Sequence, residues 1–145
     1  GDVAAAIAPS LPNSGVDLYL GVGGSPEAVL AAAAIKSLGG EQLCRMWPKS
    51  DEERETLVCE AGCTEADFAK VWTVDEMARG EHIIFAATGI SDSPMLRGIC
   101  YQDQHCITES ILMRARNRTV RRVEAHHNID RKTLRLASNG QEVRL

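Results

Sequence analysis

The sequence predicts an α/β fold: a layered α/β/α domain with a mixed sheet and a C-terminal antiparallel hairpin, built as one domain over residues 1–145. Three observations carry this expectation. First, the apolar run Val16 to Leu20 meets the glycine turn Gly21-Val22-Gly23-Gly24 and then an alanine-rich helical stretch, so strand, turn and helix follow one another. Second, His82-Ile-Ile-Phe-Ala-Ala-Thr88 is apolar throughout and stops at Gly89, and strands of that kind usually have helices on both sides. Third, Cys106 to Arg116 and Thr119 to Ala125 alternate and carry β-branched residues around Asn117-Arg118, the pattern of a hairpin.

The elements follow in order. Asp2 stands where a helix N-cap is expected, before Val3-Ala-Ala-Ala-Ile7. Pro9, Pro12, Asn13 and Gly15 break that helix and lead into the strand at Val16. A helix from Pro26 to about Leu38 is stopped by Gly39-Gly40, and its alanines permit close packing on a sheet. Gln42 to Trp47 reads as a strand ended by Pro48. Ser50 with Glu53 forms a capping box for a helix ending near Gly62, and Thr64 to Asp67 is a second cap signal. Lys70 to Thr73 reads as a brief strand, and Val74 to Met77 as a short helix before Gly80. Ser91-Asp92-Ser93-Pro94 is a turn, and the polar tail from Asn139-Gly140 is expected to fray.

Composition narrows the function. Aromatics are 4%, too few for a base-stacking platform, and the net charge of −4 argues against nucleic acid as partner. The longest apolar run, Ala28 to Ile35, is too short to span a membrane, and no signal-peptide pattern opens the chain. Cys44, Cys59, Cys63, Cys100 and Cys106 form no C-x-x-C pair, which suits reduced thiols in a cytoplasmic protein. The opening Gly1-Asp2-Val3, with no leader and no initiator Met, reads as a piece of a longer protein.

The chemistry centres on residues 21–27. Glycines let a ligand approach the backbone, and the unpaired N–H groups of a helix N-terminus attract anions. The loop lacks the third glycine of G-x-G-x-x-G, where Pro26 stands, and the Lys-Ser/Thr of a P-loop, so it is either a tight turn or a phosphate cradle. Glu27 in the first helical turn can serve the helix dipole or bind a metal, but one carboxylate cannot make a Mg²⁺ or Mn²⁺ site alone. Asp92 is read as a turn residue at the end of the buried strand. His82, His105, His126 and His127 have no metal spacing, and no serine sits in a G-x-S-x-G elbow. Arg114, Arg116, Arg118, Arg121 and Arg122 form a basic hairpin, either a solvated or interdomain face or an anion site.

Together these residues resemble class II fructose-1,6-bisphosphatase, the GlpX-type sugar phosphatase. The resemblance is carried by Gly1-Asp2-Val3-Ala-Ala-Ala-Ile7, by the long stretch from Ser14 through Gly24, Glu27 and Ile35 to Lys36, by Phe85-Ala-Ala-Thr-Gly-Ile90, and by Ser110-Ile-Leu-Met-Arg114. It implies the C-terminal half of a two-domain sugar phosphatase, with the N-terminal half outside this sequence. The implied activity is hydrolysis of the 1-phosphate of fructose 1,6-bisphosphate, and in some bacteria of sedoheptulose 1,7-bisphosphate, dependent on Mn²⁺ or Mg²⁺, in gluconeogenesis or the Calvin cycle. By position, Glu27 matches a metal ligand, and Gly1, Asp2 and Gly24 match substrate-binding positions. No catalytic residue is assigned here. The family's other metal acids, and the Lys and Arg for the second phosphate, fall in the other half. The family often has Thr-Asp-Gly where this chain has Ser91-Asp92-Ser93-Pro94. The implied partners are a sugar bisphosphate, the N-terminal domain and further copies in a homo-oligomer. The isolated chain is expected to be inactive. Two alternatives remain: a non-catalytic phosphosugar-binding or oligomerising module, and an anion or nucleic-acid binder using the arginine hairpin.

Overall fold

A computed structural model describes residues 2–131, 133–135 and 142–144. Its centre is helix α2 (Ser25–Leu38) laid against a four-stranded antiparallel sheet. The strands are β3 (Ile84–Thr88), β4 (Cys100–Gln102), β5 (His105–Arg114) and β6 (Thr119–Asn128). Strand β5 is the spine. On one side it pairs with β3 along its C-terminal half and with β4 along its N-terminal end; on the other it pairs with β6 over its full length.

Alanines 31, 32 and 34 are buried with Ile35, so the small side chains let the helix approach the sheet closely. They meet Phe85, Ile111 and Met113 from the strands, Ile7 from α1 (Asp2–Ile7), and Met95 and Leu96 from the loop after β3, all in one apolar cluster. The fully buried Ser37 donates its hydroxyl to the Ala33 carbonyl at 2.8 Å, which removes the cost of burying it.

The end of α2 is a Schellman motif. Gly39 takes φ +82°, its N–H donates to Lys36 O at 3.1 Å, and Gly40 N–H donates to Ile35 O at 3.0 Å. Beside it, Lys36 Nζ donates to Ala78 O at 2.9 Å and pairs with Asp75 at 2.8 Å, tying α2 to α5 (Val74–Met77). Arg118, at φ +50° in the β5–β6 connection, lays its guanidinium against Gly39, where a cation complements the helix C-terminus.

A second, smaller unit stands beside this core. Strands β1 (Leu43–Arg45) and β2 (Val71–Thr73) pair antiparallel around α3 (Asp51–Ala61) and α4 (Glu65–Ala69). The expected caps are present. Ser50 Oγ accepts from Glu53 N–H at 3.2 Å, and Asp67 accepts from Thr64 N–H at 2.8 Å. Glu53 reaches one residue further back than expected, to Lys49 N–H at 2.7 Å. Strands β7 (Thr133–Arg135) and β8 (Glu142–Arg144) form a separate ribbon; Asn139-Gly140, where the tail was expected to fray, lies outside the described residues.

The structure bears out the α/β class and the C-terminal hairpin and corrects one element. Val16 to Leu20 is not a strand: the segment runs as irregular chain, with Leu18 70% and Leu20 84% exposed. A strand is stable only when a neighbour takes its backbone hydrogen bonds, and none of the described strands lies beside this one. The sheet also carries α2 on one face while Ile84, Leu112 and Val123 on the other face are exposed. All described pairings are antiparallel. The cysteines are unpaired, and no helix among the described residues is long and apolar enough to cross a membrane.

Candidate functional site

The glycine loop survives the loss of its strand. Gly24 is the N-cap of α2, with extended backbone (φ −72°, ψ 152°), and its carbonyl accepts from Ala28 N–H at 3.0 Å. No side chain caps the helix. Pro26 stands in the first turn, where its missing N–H costs nothing. The remaining first-turn N–H groups therefore face outward from an exposed loop.

Glu27 is exposed, and among the described residues it accepts no hydrogen bond and pairs with no cation. Its carboxylate folds back over Gly24: a Cβ built there would lie 3.2 Å from the Glu27 Cδ and closer still to one oxygen. A capping-box acid spends its oxygens on backbone N–H groups, whereas one that serves the helix dipole need not. This one does not, and the bare Gly24 gives it the room it occupies. At the other end of the loop, the Tyr19 ring lies over Gly21, where a Cβ would meet Tyr19 Cζ at 2.7 Å.

Of the expected site residues, the structure thus brings Gly24 and Glu27 together. Gly1 lies outside the described residues. Asp2 is the first residue of α1, and its side chain falls outside the description as well. Among the described residues no group of three His, Cys, Asp or Glu could hold a metal ion. The donor set does not fit a complete Mn²⁺ or Mg²⁺ site, which needs several oxygens. Two shallow concavities lie elsewhere, one along Asp51, Arg54 and Val58 of α3 and one beside the β4–β5 turn, and Glu27 lines neither.

The loop between β3 and β4 is built more firmly. Asp92 accepts from Gly98 N–H at 2.8 Å, which is the turn role expected of it. Ser93 Oγ accepts from Leu96 N–H at 3.0 Å. The loop is then fastened to the sheet by Glu109, which accepts from Arg97 N–H at 2.7 Å and from Arg122 at 3.2 Å. Arg122 also donates to Met95 O at 2.9 Å, and Arg97 pairs with Glu124 at 2.6 Å. The Arg97 N–H, with Arg122 beside it, holds the Glu109 carboxyl below its usual range. Arg97 does the same for Glu124, helped by His126.

Sequence reasoning missed this network, treating Arg122 as one member of a basic face. The register of the hairpin was the available signal. A turn at Asn117-Arg118 opposes Glu109 to Glu124, a like-charge pair that requires cations around it.

The family model of the glpX-encoded bacterial fructose-1,6-bisphosphatase matches residues 1–127. The chain belongs to this family. It is similar to fructose-1,6-bisphosphatase 1 class 2 of Escherichia coli strain K12, at 38% identity over 143 residues, which cover 91% of this chain and 42% of that protein. The class 2 enzyme of Haemophilus influenzae is 35% identical over 139 residues, again with 42% of its length covered. The chain therefore spans about two fifths of the class 2 bisphosphatases it matches, in their C-terminal portion.

Proposed function

We propose that this chain forms the C-terminal part of a fructose 1,6-bisphosphate 1-phosphatase that uses Mn²⁺ or Mg²⁺, with sedoheptulose 1,7-bisphosphate as a further substrate, acting in the cytoplasm. In this reading Glu27 is one metal ligand, Gly24 offers its backbone to the sugar phosphate, and Gly1 and Asp2 bind the sugar. The metal, when bound, supplies the Lewis acid for phosphoryl transfer. This chain's own residues hold one edge of the substrate and one oxygen donor, and no catalytic step is assigned to them alone. The N-terminal part of a longer polypeptide supplies the remaining acids and packs against this one. The exposed Leu18, Leu20 and Val22 beside the loop support such a covering surface.

One observation carries the reading: a carboxylate at a helix N-terminus that has room made for it and no partner within the described chain. The test is Glu27→Gln in the full-length enzyme. It should lower turnover by roughly 100-fold or more, the equivalent of about 3 kcal/mol, with circular dichroism and melting unchanged. Unchanged kcat and metal dependence would refute the assignment. For the chain alone, calorimetry with fructose 1,6-bisphosphate, with and without Mn²⁺, separates a half-site from a self-sufficient phosphosugar-binding module. The half-site gives no measurable heat; the module binds.

A further inference from the structure

We propose that Gln42 is a positioning residue for the Gly24–Glu27 turn, its side-chain amide reaching back to the first turn of α2 and holding the residue next to Glu27. The inference rests on the reading of Glu27 given above and adds the side chain that keeps that turn in place. The geometry begins at the far end of the helix. Leu38 and Ala28 lie about 15 Å apart along the axis of α2. Gly39, in the left-handed region, and Gly40 end the helix and reverse the chain, so that Gln42, just before β1, comes level with the first turn. There Gln42 Nε2 donates to Ala28 O at 3.2 Å. On its other side Ala28 N–H donates to Gly24 O at 3.0 Å. Ala28 is thus held from both directions. The first turn of a helix has the fewest internal hydrogen bonds and frays most readily. The turn itself directs Glu27 over Gly24; Gln42 holds the turn.

The chemistry of the amide supports a role beyond packing. Ala28 O can only accept, so the NH₂ end of Gln42 faces it. The same nitrogen lies 3.1 Å from Cys44 Sγ. That orientation leaves Gln42 Oε1 in the interior, and among the described residues it is the one buried side-chain nitrogen or oxygen with no hydrogen-bond partner. A buried acceptor without a donor costs stability. Leucine is close to glutamine in size and would bury no such oxygen. Stability alone therefore does not account for an amide at this position, whereas its donor to Ala28 O does. Departures of this kind from the most stable choice are concentrated where a site must be held in one geometry.

The test compares two variants in the full-length enzyme. Gln42→Leu removes the donor and the buried oxygen together, so it should melt within about 3 °C of the parent. It should nevertheless lower kcat by roughly 10-fold or more, with a smaller change in KM. Hydrogen exchange across residues 27–30 should become roughly 10-fold faster. Gln42→Glu keeps the shape and donates to Ala28 O only when protonated, and burial raises a carboxyl into a range where it titrates near neutrality. Its kcat relative to the parent should rise as pH falls from about 9 to 6, while the same ratio for Gln42→Leu stays flat. The Cys44 thiol beside it is common to both variants and does not contribute to that difference. A purely structural role would make kcat follow the melting temperature and give no such recovery. The proposal is overturned if Gln42→Leu keeps kcat within about twofold of the parent, if exchange across residues 27–30 is unchanged, or if Gln42→Glu shows no recovery. Glu27→Gln measured in parallel separates the two readings. Where it abolishes turnover and Gln42→Leu does not, the reading of Glu27 stands and that of Gln42 falls. Where it leaves turnover unchanged, the reading of the site fails and this proposal with it.

Discussion

Replacing Glu109 with glutamine should loosen the loop between β3 and β4 without touching the core. The side chain is 14% exposed, accepts hydrogen bonds from Arg97 N–H at 2.7 Å and from Arg122 at 3.2 Å, and pairs with the Arg97 guanidinium at 3.5 Å. Hydrogen bonds to charged groups contribute roughly 1.5–3 kcal/mol each, but the amide retains one acceptor for the Arg97 N–H. What is lost is the charge, with its Arg122 contact and its longer, exposed Arg97 pair, so the expected cost is about 1–2 kcal/mol. That corresponds to a fall in Tm of roughly 3–6 °C for a chain of this size. Urea unfolding should show a lower midpoint at an unchanged slope. The pH dependence adds a second reading. Because the folded-state pKa of Glu109 is lowered, its contribution is complete above the ordinary carboxylate value of about 4.3 and is lost as pH falls through the folded value. The gap between parent and variant should therefore hold steady from pH 8 to about 6 and close on acidification. A gap that stays constant to pH 3, or a cost below about 0.5 kcal/mol at neutral pH, would refute the anchoring role.

Three further outcomes test other parts of the fold. Met113→Ala removes a side chain with no exposed surface, between Phe85 and Val120 in register, and should cost about 2–5 kcal/mol in urea unfolding. Gly39→Ala forces a side chain into the left-handed region at φ +82°, against the Arg118 guanidinium; it should cost roughly 1–2 kcal/mol, and a neutral result would mean the helix end relaxes freely. Glu76 is held down to about 2 by Lys70 and by the Thr73 N–H, so an NMR titration should find its carboxyl still ionised at pH 3, and an ordinary midpoint would show that the Lys70 pair and the Thr73 cap do not hold in solution.

Much of the fold was legible because much of it is local. The Gly39 terminus, the Ser50 and Thr64 caps and the β5–β6 hairpin are each set by a few adjacent residues, whose backbone preferences and side-chain bonds act over one turn. The Glu109 network was not legible as such. It joins residues from a loop and two strands, and only the hairpin register hinted at it. Periodicity shows which residues prefer burial, not what buries them. Thus Ile84 reads as core in an apolar strand yet stands 64% exposed on the open face of the sheet.

The stretch from Val16 to Glu27 separates these two kinds of information most clearly. Its second half is specified by itself: Gly24 leaves the N-cap bare, Pro26 starts the helix, and Glu27 folds over the space Gly24 leaves. These features need no distant neighbour, and all are present. Its first half has the composition of a strand, but a strand's ladder hydrogen bonds belong to its neighbours, and Leu18, Leu20 and Val22 lie exposed without them. The same asymmetry applies to the candidate chemistry. One carboxylate can be positioned by one helix turn, whereas a metal site needs acids brought from several elements, and no group of three such ligands stands among the described residues. In the proposed function the exposed strand-like segment and the unpartnered carboxylate are both completed by another part of a longer polypeptide. If that is so, adding that part should order both at once: the amides of Val16 to Leu20 should become protected from hydrogen exchange in the same polypeptide that gains metal-dependent turnover. Protection without turnover, or turnover without protection, would separate the two and break the link.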